Sequence, residues 1–382
     1  MPTDLLDAVY GCVIGGAIGD ALGAPVEGWY YTEIRDRYGR VEEFISTSRG
    51  NTGALYGGSD GESYYEDYDG PPSKLGEVTD DTTLAHYICL AIVRKGGRIT
   101  PDDLAAVWID ELNPNRFWMN ERIIRHKLRA GVSPWESGRG AIPAGCATMA
   151  IAPIGIINAG DPDQAYLDGM HIAAVNQEDV NRDAAATLAA GVACALAPGA
   201  TVEDVLACMR SHTTPIVGRA IELTMDLIEP YGDIDAFAAR FYERMLDYSW
   251  PSRTWNKERY FSGSSLEIVP VTMALLELCE GDVNRCIIEG ASFGRDCDTI
   301  ARAVGSLAGA LQGASALRPG WIATCEEGNR ELFAEAEGDS EADFYSMAVR
   351  LTEALAKEQS HAQARAEQLQ SWLGGIQWPN DR

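Results

Sequence analysis

Apolar residues recur at intervals of three and four along most of the chain, the spacing of helices that bury one face. Residues 5–22 (LLDAVYGCVIGGAIGDAL) open this pattern. It predicts further helices over about 101–112, 118–130, 162–174, 181–197, 202–211, 215–229, 234–248, 266–280, 282–293 and 298–313. Leu84, Tyr87, Ile88, Ala91 and Ile92 form another stripe behind Thr79, whose hydroxyl suits an N-cap. No convincing run of alternating strands interrupts this rhythm, so the expected fold class is all-α, a compact multi-helix bundle. The segment 141–157 is ambiguous between buried helix and irregular core, because Pro143 and Pro153 punctuate it.

Within the first helix Gly11, Gly15, Gly19 and Gly23 recur every four residues, leaving one face almost bare. Each glycine costs about 1 kcal/mol of helix propensity relative to alanine. That cost implies close packing against another backbone. Residues 50–74 break the helical spacing and read as a long inserted loop, rich in Gly and Tyr. Tyr56, Tyr64, Tyr65 and Tyr68 there read as a surface excursion more readily than as a lid. The expected division is a main domain over 1–325 and a C-terminal helical extension over 326–382. Phe344, Met347, Leu351 and Leu355 give that extension a docked face or a homodimer surface.

Composition narrows the function classes. Apolar residues make up 46% of the 382 and charged residues 23%, as in globular proteins with a substantial core. A formal charge of −26 argues against nucleic acid as a partner, since phosphate binding rests on Lys and Arg. No apolar run is read as a membrane span, and no basic leader precedes an apolar stretch, so a cytoplasmic location without membrane contact is expected. Nine scattered cysteines without a C-x-x-C pair read as reduced thiols.

Two acidic clusters change the picture most. Thr79-Asp80-Asp81-Thr82 and Asp296-Cys297-Asp298-Thr299 each open an apolar helical run. Alone, each pair would serve as helix capping and dipole complement. Together they supply several oxygen donors, which suit a hard divalent cation such as Mg²⁺ or Mn²⁺ and predict that folding unites them around one or two ions. Glu27 follows Gly23 and Pro25, which end the first helix, and so sits on a rigid turn. Trp29 and Tyr30 just beyond it are placed for ligand contact. Arg295 suits an anion contact and an ion pair equally. His86 and His171 show no metal-ligand spacing and read as structural.

These residues resemble the ADP-ribosylglycohydrolase family, typified by the dinitrogenase reductase-activating glycohydrolase. Gly15 to Glu27 matches its G-x-x-x-G-D-A-L-G-x-x-x-E segment, Thr79 to Thr82 its T-D-D-T, and Gly294 to Gly313 its G-x-D-x-D-T helix. Gly145 to Gly155 partly matches its central motif, and Pro319 to Trp321 a closing Pro-x-x-Trp-like stretch. The likeness spans about 5–325. It implies a binuclear Mg²⁺ or Mn²⁺ centre in a cleft between helices, with Thr79, Asp80, Asp81, Asp296, Asp298 and Thr299 as ligands. It further implies hydrolysis of a bond between ADP-ribose and its target, with Glu27 as the acidic residue beside the scissile bond. The carboxylate that protonates the leaving group or positions the water is then Glu27, with Asp80 or Asp298 as second choice. Three departures concern the substrate side: Met149-Ala150 replaces Met-Arg, Val175-Asn176-Gln177 replaces a Thr-His segment, and Arg295 replaces the second glycine of G-G-D. They favour another ribosyl substrate or altered nucleotide contacts. A non-catalytic ADP-ribose-binding protein is the remaining alternative.

Overall fold

The computed structural model describes residues 4–46, 73–229, 232–248, 263–337 and 342–374. In chain order the helices are α1 (Leu5–Gly23), α2 (Tyr31–Tyr38), α3 (Asp80–Lys95), α4 (Pro101–Glu111), α5 (Met119–Arg129) and α6 (Ala152–Ile157). They continue as α7 (Pro162–Ala173), α8 (Asp179–Ala195), α9 (Val202–Ser211), α10 (Pro215–Met225), α11 (Ile234–Tyr248) and α12 (Ser265–Leu278). The last are α13 (Val283–Ala291), α14 (Cys297–Gln312), α15 (Pro319–Gly328), α16 (Arg330–Glu337) and α17 (Phe344–Gly374). No strand forms among the described residues, where β-type pairing is one isolated bridge between Tyr30 and Gly294. The fold is all-α. The inserted stretch 50–74 lies outside the described residues apart from Ser73 and Lys74.

The glycine face of α1 explains the architecture. α14 runs antiparallel along it, with Gly11 against Gly309, Gly15 against Gly305, Gly19 against Ala301 and Gly23 against Asp298. A Cβ on Gly15 would stand 2.6 Å from the Gly305 carbonyl oxygen, closer than side-chain carbons approach backbone. The expected backbone-to-backbone packing is therefore present, and its partner is the helix carrying the second acidic cluster. α8, α12 and α13 pack around α14. Phe237, Phe241 and Phe293 fill the core near α11, and Trp108 and Phe117 the part near α4 and α5.

Three elements extend or correct the sequence reading. α1 is long and apolar enough, by length and composition, to cross a membrane, contrary to the expectation that no run reaches that length. Its apolarity has a packing cause here, because most of its residues are buried against neighbouring helices. The ambiguous 141–157 segment resolves into a 3₁₀ turn, Thr148–Ala150, and the buried helix α6, with Pro153 tolerated in the first turn. α17 buries Phe344, Met347, Leu351 and Leu355, packs on α1, α3 and α6, then exposes Leu369, Trp372 and Leu373 farther on.

Candidate metal and active site

The floor of the site follows from the α1–α14 contact, which sets the end of α1 beside the start of α14. Gly23 admits this approach, since a Cβ there would collide with the Asp298 backbone. Pro25 lies in a 3₁₀ turn, Ala24–Val26, that ends α1 and delivers Glu27 to the cleft. The next residues are clasped to the chain ahead of α14. The Gly28 amide donates to the Arg295 carbonyl and the Arg295 amide to the Trp29 carbonyl, both at 2.7 Å. The Tyr242 hydroxyl donates to the Phe293 carbonyl at 2.7 Å and braces the same corner.

α3 brings the other cluster. Thr79 is its N-cap, accepting from the Asp81 amide at 3.2 Å, as its sequence position predicts. Asp20, near the end of α1, anchors this turn from below. One oxygen accepts the Thr79 hydroxyl at 2.9 Å, and the other accepts the Thr82 amide at 3.1 Å and the Thr82 hydroxyl at 2.5 Å. Arg302 on α14 donates to the same Thr82 hydroxyl at 2.7 Å and to the Met149 carbonyl at 2.5 Å. A buried chain of hydrogen bonds thus links α1, α3 and α14.

The two acidic clusters meet. Thr299 donates its hydroxyl to Asp81 Oδ1 at 2.8 Å across 218 residues of sequence. Ligand-type oxygens of Glu27, Asp296 and Asp298 lie within 4.8 Å of one another. Asp80, Asp81, Asp296 and Asp298 are buried, and Glu27 is half-buried. Burial, reinforced by neighbouring carboxylates, holds the carboxyls of Glu27, Asp80, Asp81 and Asp298 well above the usual carboxylate range. Burial pushes Asp296 up to about 6, although hydrogen bonds from Asp298 and Thr299 oppose it. Five acids packed this closely repel one another as anions, and a hard divalent cation would satisfy them. The donor set, all oxygen, fits Mg²⁺ or Mn²⁺.

The remaining candidates are distributed as follows. Trp29 and Tyr30 are half-buried beside Glu27. The Trp29 ring lies under the Arg37 guanidinium, 5.4 Å from its carbon, and the Tyr30 ring 5.9 Å from that of Tyr242. Of the two roles open to Arg295, the structure displays the ion pair. Its guanidinium meets buried Glu267 through two contacts of 2.7 Å. Its backbone has φ +62°, beside Gly294 at +78°, a conformation that explains a glycine at this place in the family pattern. Asn176 is also structural, donating to the Cys146 carbonyl at 3.1 Å.

Sequence reasoning passed over Asp20, Arg302, Glu267 and Glu121. A signal existed for the first two: each sits among apolar and small residues of a buried helix, where a charge requires a partner. Glu121 is fully buried on α5, with one oxygen accepting from the Asn120 amide at 3.0 Å. Nothing in its local sequence distinguishes it from a solvated helix acid.

Comparison with known proteins adds an independent line. The sequence profile of the ADP-ribosylglycohydrolase family matches residues 1–362. The uncharacterised protein YegU of Escherichia coli K12 is 23% identical over 331 residues, covering 82% of this chain and 90% of its own. An uncharacterised protein of Archaeoglobus fulgidus is 26% identical over 307 residues, covering 78% and 86% respectively. Among solved structures, an ADP-ribosylglycohydrolase-related protein complex superposes with a TM-score of 0.57 at 20% identity, covering 91% of this chain and 98% of its own. That last likeness concerns the fold.

Proposed function

From the premise that this chain belongs to the ADP-ribosylglycohydrolase family, we propose that it hydrolyses a glycosidic bond to ribose in an ADP-ribosyl compound, using Mg²⁺ or Mn²⁺. The observation that carries the reading is the meeting of the two acidic clusters, joined by the Thr299–Asp81 hydrogen bond beside Glu27. Thr79, Asp80, Asp81, Asp296, Asp298 and Thr299 would hold a centre of two ions. The bound cations would supply positive charge that orients the ribose hydroxyls and activates water.

The chain's own residues do the rest. Rupture of a ribosyl bond builds positive charge on the sugar, and buried carboxylates around it favour that charge. Glu27 is the one acid of the group that is half-buried, so it is the one best able to reach the leaving group and pass it a proton. Trp29 and Tyr30, adjacent to it, are assigned to substrate contact. Arg295 is assigned to holding Glu267 and the 293–296 corner. Asp20 and Arg302 keep the ligand-bearing turns in register.

Calorimetric titration with ADP-ribose tests this reading, with saturating Mg²⁺ and then without divalent cations. Binding that requires the cation is expected. Binding of equal strength in both conditions would remove the metal from substrate recognition. No binding in either would redirect the search to other ribosyl compounds.

A further inference from the structure

α17 changes character along its length. Its first turns dock on α1, α3 and α6 through one face, formed by buried Phe344, Ala348, Leu351 and Leu355. Glu358 is tied to the body, its carboxylate accepting the Arg98 amide at 3.2 Å. From Gln359 to Leu373 every residue is exposed, yet the helix runs on to Gly374. Side chains of this arm bond along it: the Ser360 hydroxyl donates to the Ala356 carbonyl at 2.8 Å and the Gln363 amide to Glu367 at 2.9 Å. The docked face continues without a turn to another side. Ala362, Ala366, Leu369 and Leu373 follow Leu355 on it, since Leu373 lies 18 residues beyond Leu355, about five helical turns. Leu369 is 43% exposed, Leu373 49%, and Trp372 at the edge of the stripe 64%.

We propose that residues 359–373 of α17 are a dimerisation arm, whose apolar face packs antiparallel against the same face of a second copy of this chain. Charge is the first reason. Arg365 and Glu367 cancel, so the arm is neutral with its histidine uncharged, in a chain of net charge −26. It is the kind of surface on which two such acidic molecules can meet. Solvent is a poor sole partner for it. A helix that stands free in water is sustained by charged pairs along its faces, and one of this length is marginal without packing. This arm carries mostly glutamine, serine and alanine around its stripe. A lipid surface suits it no better, because surface helices line their polar face with Lys and Arg and this one has a single Arg.

Direction follows from the same charges. The arm is about 22 Å long at 1.5 Å per residue. An antiparallel pair leaves the two acidic bodies at opposite ends of it, separated by more than twice the Debye length of about 8 Å at physiological salt. A parallel pair would set them side by side. Packing agrees. Centred on Ala366, an antiparallel pair brings the small Ala362 of each helix beside Leu369 of the other, and Arg365 of each beside Glu367 of the other. A parallel pair would instead set alanine on alanine, leucine on leucine and Glu367 on Glu367. The dimer surface thus lies beyond the stretch Phe344–Leu355, which is taken up by docking on the body.

The experiment is sedimentation velocity of the full chain over the micromolar concentration range, at physiological salt. The expected mass rises with concentration from one chain to two. Leu369→Glu combined with Leu373→Glu should keep it at one chain throughout, with the melting temperature unchanged because both positions are exposed. Disulfide trapping under mild oxidation then reads direction, with the wild-type chain as background. Ala366→Cys should cross-link two copies. Ala362→Cys should not, since an antiparallel pair centred on residue 366 places those two sulfurs about 12 Å apart along the axis. A wild-type chain that stays monomeric, or a double variant that dimerises as the wild type does, would overturn the arm as the interface. Equal cross-linking at 362 and 366 would overturn the antiparallel arrangement.

Discussion

Asp20 accepts hydrogen bonds from the amide and the hydroxyl of both Thr79 and Thr82, so one carboxylate sets the entire first turn of α3. The acids it orders are the ones a cation would use, while Glu27 stands beside them on its own turn. That separation yields a prediction. Glu27→Gln keeps the shape and removes the proton-transfer group, so turnover on an ADP-ribosyl substrate should fall by about 10²–10⁴ with ligand affinity retained. Equal loss of affinity and turnover would assign Glu27 to binding. At this scale the sequence was partly legible. The clustered acids were visible because two hydroxyl-flanked pairs opened apolar helices, but their meeting is a tertiary fact. Arg295 was open between two roles because its partner, Glu267, lies 28 residues away on α12.

Among the elements, α1 and α14 carry the design. Their contact is legible in the sequence on the α1 side, since glycines spaced by four on a helix demand a neighbouring backbone. The identity of that neighbour was not legible, because an alanine- and glycine-rich helix such as α14 also suits ordinary core packing. Replacing Gly15 with Val places carbon against the Gly305 carbonyl and should destabilise the fold by about 1–3 kcal/mol or more. Gly320→Ala on α15 meets open space and should be neutral or slightly stabilising by helix propensity. Thermal denaturation of the two variants checks the contrast; similar melting temperatures would mean that the seam tolerates separation. Short elements escaped the sequence reading for a related reason. α2 and α16 have eight residues each, too few for a repeating stripe to declare itself.

For the whole molecule, the concentration of buried acid should link stability to pH and, if the proposed site binds them, to divalent cations. Asp296 has a folded value raised to about 6, against roughly 3.9 for an unfolded aspartate. The folded state therefore binds the proton more tightly, and its contribution to stability is complete below pH ~4 and lost as pH rises through about 6. Glu27, Asp80, Asp81 and Asp298 shift in the same direction and extend the loss upward. In chelator the melting temperature should decline as pH rises from 4 through 6. Added Mg²⁺ should raise it more at pH 7.5 than at pH 5, because protons compete for the same oxygens. A cation effect independent of pH would separate the ion from these carboxylates.

The seam between α1 and α14 joins the first helix of the chain to one that begins almost 300 residues later. A nascent or truncated chain that ends before residue 296 has one cluster and lacks the other. Closing so large a loop is an entropically late step. Cation affinity should therefore emerge near the end of folding rather than guide its beginning, and only a chain with both ends docked would hold the ion.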